Sequence, residues 1–184
     1  MKLQRLFIAL ELSEAAQDAL DSISVGLPGA RWVGRRLRHL TMRFLGEVPV
    51  EISRAIGNGL ATVKSPTFQL RMKGIGWFPP RGMPHVVWGG VEENDYLLLL
   101  KLNIDQALRQ LGIAGESRSF FPHITIARLK GTPPGALEEY RDQNQAITIA
   151  PFEVAGFHLF SSVLSSRGAA HRIEKSFLLE RPDS

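Results

Sequence analysis

Apolar and polar positions alternate along this chain in two periods, and the switches between them lay out short strands and helices. Leu3 to Leu10 reads as a strand. Ser13 is placed to cap a helix that carries Ala16, Leu20, Ile23 and Leu27 on one face and ends at Pro28-Gly29. Arg38 to Leu45 alternates as a strand that Gly46 closes, and a helix from about Val50 to Val63 follows. Phe68 to Trp77 and Val86 to Val91 are the next strands, separated by the turn-rich segment Phe78 to Pro84. The period of Leu97, Leu100, Ile104, Ala107 and Leu111 predicts a helix over about Asn94 to Leu111, stopped by Gly112. His123 to Leu129 is again a strand, with a short helix near Gly135 to Gln143. Strands around Ile147 to Ala155, Gly156 to Phe160 and His171 to Leu179 complete the chain.

This order repeats. His39-Leu40-Thr41-Met42-Arg43-Phe44-Leu45 lies over His123-Ile124-Thr125-Ile126-Ala127-Arg128-Leu129, with His, Thr and Leu matching at an offset of 84 residues. Pro49 and Pro133 match at the same offset, each before a helix, and so do Phe68 and Phe152, each within a strand. Strand, proline, helix, strand thus occurs twice in register, the mark of a duplicated unit. The expected fold class is α+β: one bilobal domain over residues 1–184, with two pseudo-symmetric lobes around a central cleft. Each lobe would hold a mainly antiparallel sheet with outer helices.

Strand parity gives the repeat a chemical meaning. Residues i and i+2 share a face, so His39 with Thr41, and His123 with Thr125, point away from the buried Leu40, Met42 and Phe44 or Ile124 and Ile126. Lobes related by a two-fold axis would turn both pairs into one pocket. Two imidazoles with ordinary pKa values of about 6.5 supply a base and an acid near neutrality. Opening a cyclic phosphate needs that pair: one takes a proton from water, the other gives one to the departing ribose oxygen. The threonine hydroxyls can donate to non-bridging oxygens. A lone His-x-Thr is ordinary strand sequence, and the weight rests on two copies in register.

Composition narrows the alternatives. Among 184 residues there is no cysteine, which excludes a disulfide, a thiol nucleophile and cysteine-ligated zinc. Zinc held by the two histidines lacks a third ligand at metal-like spacing, so neither metal nor cofactor is expected. The apolar run after Arg5 is broken by Glu11, too early for a signal-peptide core, and nothing approaches the roughly 20 apolar residues of a membrane span. A cytoplasmic protein without membrane contact is expected, and a monomer. The net charge of +4 is modest, but Arg31, Arg35, Arg36 and Arg38 crowd the residues before His39 and read as a phosphate-facing patch. Trp77, Phe78 and Trp88 are candidates for stacking a base, with core packing the stronger reading for Trp88. His85, His158 and His171 read as structural or surface histidines, His171 within reach of the cleft rim. Ser161-Ser162 and Ser165-Ser166 lack a Gly-x-Ser-x-Gly setting and take no nucleophilic role.

At these residues the sequence resembles the two-histidine (2H) phosphoesterase superfamily, and within it the bacterial and archaeal RNA 2',3'-cyclic phosphodiesterases, also called 2',5'-RNA ligases. The resemblance runs from Arg5-Leu6-Phe7-Ile8-Ala9-Leu10 through Arg31-Trp32-Val33, His39 to Gly46 and Gly76-Trp77-Phe78-Pro79 to Phe121-Pro122-His123-Ile124-Thr125-Ile126-Ala127-Arg128. It implies hydrolysis of RNA 2',3'-cyclic phosphate ends to 2'-phosphates, with His39 as proton donor to the leaving 3'-oxygen and His123 as proton acceptor. Thr41, Thr125 and Arg128 would bind the substrate phosphate, although strand parity sets Arg128 opposite His123 unless the strand bends. Joining of RNA ends through a 2',5' bond is the reverse reaction, subordinate in water. A non-catalytic RNA-binding module is the reading from another class, one that need not keep all four His and Thr residues. The chain departs from the resemblance outside these motifs: the family often has arginine at the position of His85, tyrosine at that of His171 and an arginine near Ser161-Ser162.

Overall fold

The computed structural model describes residues 2–145, 147, 149–165 and 168–181. In chain order these form β1 (Leu3–Leu10), α1 (Glu14–Ile23), β2 (Ala30–Trp32), a 3₁₀ turn (Arg35–Leu37), β3 (Leu40–Pro49), α2 (Val50–Leu60), β4 (Phe68–Leu70) and β5 (Met72–Phe78). There follow β6 (Val86–Val91), α3 (Asp95–Gln110), β7 (His123–Leu129), α4 (Pro134–Asn144), β8 (Phe152–Val154), β9 (Gly156–Ser165) and β10 (Gly168–Leu178). Local signals set the helix starts. The Ser13 hydroxyl accepts from the Ala16 amide at 3.2 Å, and Asn94 Oδ1 accepts from the Leu97 amide at 3.0 Å. Pro49 and Pro133 are the N-caps of α2 and α4, both with extended backbones.

The offset of 84 residues holds well beyond the motifs. It relates β3 to β7 at their histidine ends, α2 to α4, β4 to β8, and the first residues of β5 and β9. The main sheet has the order β10-β9-β1-β3-β7-β6-β5, with β2 also pairing β7, while β4 and β8 form a separate ribbon. Its halves meet at one pair, Leu40 with Ile124. The repeat is not the lobe, however. β9 comes from the second repeat and pairs β1 of the first; β5 comes from the first and pairs β6 of the second. The helices cross over too. The α2–α3 pair lies against β1 and β3. Leu20 and Ile23 of α1 meet Met72 and Ile126, and Tyr140 of α4 donates to the Ile23 carbonyl at 2.7 Å. Each half is therefore built from both repeats around one continuous core that includes Leu6, Ile8, Leu40, Met42, Ile124 and Ile126.

Both histidine-bearing strands carry a bulge at the same place. Ile8 pairs Arg43 and Ala9 pairs Thr41, leaving Met42 extra; Val87 pairs Ala127 and Trp88 pairs Thr125, leaving Ile126 extra. An extra residue reverses the facing of everything after it. This corrects the assignment of Phe44 to the buried face: it is 59% exposed, while Arg43 turns inward. Gly46 does not close β3 either. It sits inside the strand at φ 72°, a conformation open to glycine, beside a second bulge.

Other expected boundaries move where tertiary pairing overrides pattern. The strand expected over Phe68 to Trp77 divides into β4 and β5, because its two parts join different sheets. That expected over Ile147 to Ala155 shrinks to β8, with Thr148 outside the described residues. Helix α2 stops at Leu60 rather than Val63, and β2 was not anticipated. Ser166 also lies outside the described residues. Among the described residues no helix is long and apolar enough to cross a membrane.

Candidate active site

A cleft of about 370 Å³ opens where the two halves of the sheet meet, lined by His39, Thr41, His123, Thr125 and Arg128 together. All five residues singled out from the sequence thus share one cavity. Leu40 and Ile124, which follow the histidines, form the single pair joining the halves, and this pairing brings the two imidazoles to one place. Arg128 reaches the cleft because of the Ile126 bulge: Ile126 and Ala127 are both buried, and the next residue faces outward again.

His39 lies directly before β3 on a segment fixed from below. Arg38 is buried and donates to the Val33 carbonyl at 2.8 Å, to Asp21 at 2.7 Å and to Ser24 Oγ at 3.0 Å. Arg35 binds Glu14, Asp18 and Asp21 on α1. Two arginines of the expected phosphate-facing patch are therefore spent in holding the histidine's approach to α1, a correction to that reading. Arg31 is paired across the ladder with the cleft residue Arg128.

The two imidazoles occupy different surroundings. His123 Nδ1 lies 2.8 Å from the Phe121 carbonyl. A carbonyl only accepts, so Nδ1 carries the hydrogen and neutral His123 keeps a lone pair on Nε2. Its neighbours are Phe78 at 5.2 Å, Phe121 at 6.0 Å and Trp88 at 6.3 Å between ring centroids. His39 stands instead between Phe7 at 4.8 Å and His171 at 5.2 Å. Burial above all, then the positive fields of His171 and His123, lower its pKa to about 4, against the opposing pull of the Leu37 carbonyl. At pH 7 that value makes His39 a neutral imidazole.

The sequence reading missed several cleft residues: Arg5, Phe7, Phe44 and Ser162 also line it, and His171 is a full member rather than a rim residue. Its Nδ1 is buried without a partner, and burial lowers its pKa. The signal that could have found Phe44 was its place at the offset position of Arg128. Trp77 does not serve the cleft, since Arg141 packs over its ring, and the Trp88 ring lies over Gly76 beside His123. His158 bonds Ser176 and faces Glu11, away from the cleft. Among the described residues no group of three or more His, Asp or Glu is arranged to hold a metal ion.

Two imidazoles, two hydroxyls and a guanidinium around one cavity can exchange protons with, and bind, an anionic phosphate ester, the plan of a two-histidine phosphoesterase. Comparison with known proteins gives the particular family. The model of the LigT-like phosphoesterases matches residues 10–88 and again 90–170, once for each repeat, and the chain belongs to this family. It is 33% identical to an RNA 2',3'-cyclic phosphodiesterase of Thermotoga maritima over 92% of this chain and 92% of that one. It is 30% identical to the Archaeoglobus fulgidus protein of the same name, over 91% of this chain and 96% of the relative. Among solved structures, apo LigT of E. coli superposes with a TM-score of 0.76 at 26% identity, covering 98% of this chain and all of that one.

Proposed function

We propose that this chain, acting as one bilobal unit over residues 1–184, hydrolyses 2',3'-cyclic phosphate ends of RNA to 2'-phosphates without a metal. The observation that carries the proposal is the convergence of both His-x-Thr pairs and Arg128 on one cleft. The activity in the names of the relatives supports the substrate class. His123 Nε2 takes a proton from water as the water oxygen attacks phosphorus. The bond from phosphorus to the 3'-oxygen breaks, and His39 delivers its proton to that oxygen, so the pair ends with its protonation states exchanged. Thr41, Thr125 and Arg128 hold the non-bridging oxygens, where charge accumulates.

A 5'-hydroxyl in place of water would follow the same steps in the same direction and form a 2',5' bond as the 3'-oxygen leaves, a minor route against water in excess. We further propose that the protein works as a monomer in the cytoplasm on RNA ends. The test is incubation with a cyclic-phosphate-ended RNA in EDTA, with the phosphate position read by NMR. A 2'-phosphate is expected. Unchanged substrate would point to a binding module or a metal-dependent enzyme, and a 3'-phosphate would exchange the leaving group.

A further inference from the structure

Arg31 and Arg128 are direct partners across the β2–β7 ladder. Directly opposed residues have side chains on the same face, with Cα atoms about 4.5 to 5.5 Å apart. Both are exposed, whereas Trp32, one residue on, turns to the helix side and packs on Tyr140. Arg128 lines the cleft, so Arg31 extends its cationic wall outward along β2. Like charges directly opposed weaken a ladder. Elsewhere in the molecule Arg35, Arg38, Arg43, Arg71 and Arg141 each have an acidic partner. Among the described residues neither Arg31 nor Arg128 forms an ion pair with a carboxylate, and a shared anion would reverse the sign of their interaction.

We propose that Arg31, next to Arg128, is a specificity residue for a second phosphate: the phosphodiester on the 5' side of the terminal nucleotide. This rests on the cyclic-phosphodiesterase reading and narrows its substrate to an RNA strand rather than a lone nucleoside cyclic phosphate. The reacting phosphate sits among the two histidines and threonines, Arg128 lies between, and Arg31 meets the next charge along the backbone. Phosphate contacts of this kind fix register without reading bases.

The test compares two substrates, a nucleoside 2',3'-cyclic phosphate and a dinucleotide ending in one. Loss of one charge-assisted contact predicts that Arg31→Gln lowers the dinucleotide-to-nucleoside ratio of kcat/KM roughly tenfold. Arg31→Lys should recover part of that ratio. The salt dependence for the dinucleotide should flatten by about 0.7 in log–log slope, the value for one single-strand phosphate. An unchanged ratio overturns the proposal, as does an equal fall on both substrates. So does a lower melting temperature of free Arg31→Gln, which would reveal a structural partner. If the wild-type protein turns over neither substrate, the cyclic-phosphodiesterase reading fails by itself. The subsite is then judged by calorimetric binding of the dinucleotide, and equal affinity of wild type and Arg31→Gln sinks it.

Discussion

If His39 is the proton donor, as proposed, its low pKa means that something must charge it before it can act. With a pKa of about 4, His39 would be protonated in roughly one molecule in a thousand at pH 7. Charging it there would cost about 4 kcal/mol. The substrate brings the remedy. One negative charge about 4 Å from an imidazolium, at an effective dielectric near 20, contributes roughly 4 kcal/mol. The two figures balance, so a bound phosphate is expected to raise the His39 pKa to about 7 and make it an acid at working pH. Because the anion binds the protonated form preferentially, binding takes up a proton and weakens as pH rises through the bound-state pKa.

The assay is an NMR titration of the imidazole signals, assigned with His39→Gln, His123→Gln and His171→Gln variants, in the free protein and saturated with a nucleoside 2'-phosphate. His39 should titrate near 4 when free and at about 7 when bound. A His39 signal that stays neutral under saturation would refute the reasoning. If His123 alone rose instead, donor and acceptor would have to be exchanged.

The remaining predictions concern stability and assembly. Burial lowers the pKa values of His39, His158 and His171 below the unfolded value of 6.5, so stability is full above pH 6.5 and falls as pH drops towards 4. Urea unfolding should show that decline, with about 3 kcal/mol of it absent in His39→Gln, and a flat profile would contradict it. Arg43 is 5% exposed in its side chain and holds Asp105 at 3.3 Å, Glu116 at 3.6 Å and the Ala114 carbonyl. Arg43→Ala should cost about 3 kcal/mol in denaturant unfolding, the low end for a broken buried pair because both acids are partly exposed, and a loss under 1 kcal/mol would rule that pairing out as a support. Residues 1–84 alone lack β6, β8 and β9, the partners of β5, β4 and β1. That fragment should show no cooperative folding as a monomer by circular dichroism and sedimentation, and a folded monomer would dismiss the exchanged strands as essential.

How much of this was legible in the sequence differs between chemistry and architecture. Periodicity and caps found every helix, and the offset of 84 residues found both His-x-Thr pairs, because these depend on local spacing. The bulges at Met42 and Ile126 left no such trace: each is a register relation with a neighbouring strand, and parity counted along one strand set Phe44 and Arg128 on the wrong side. The arginines before His39 illustrate the same limit. Their sequence position beside a catalytic candidate suggested phosphate, but the carboxylates that claim Arg35 and Arg38 stand on α1, fourteen to twenty-one residues away in the chain.

Exchange of strands between repeats also explains why two equivalent histidines end up chemically unlike. A duplicated unit folded on itself would give His39 and His123 matching neighbours. Here β10, which has no counterpart in the first repeat, brings His171 against His39, while β5 and β6 bring Phe78 and Trp88 against His123. One imidazole is thus held beside a second basic ring and the other within an aromatic wall. At the position after the bulge, one strand presents Phe44 and the other Arg128. The repeat supplies the two histidines of the proposed acid–base pair, and the unrepeated residues around them break the symmetry that would otherwise offer a cyclic phosphate two equivalent orientations.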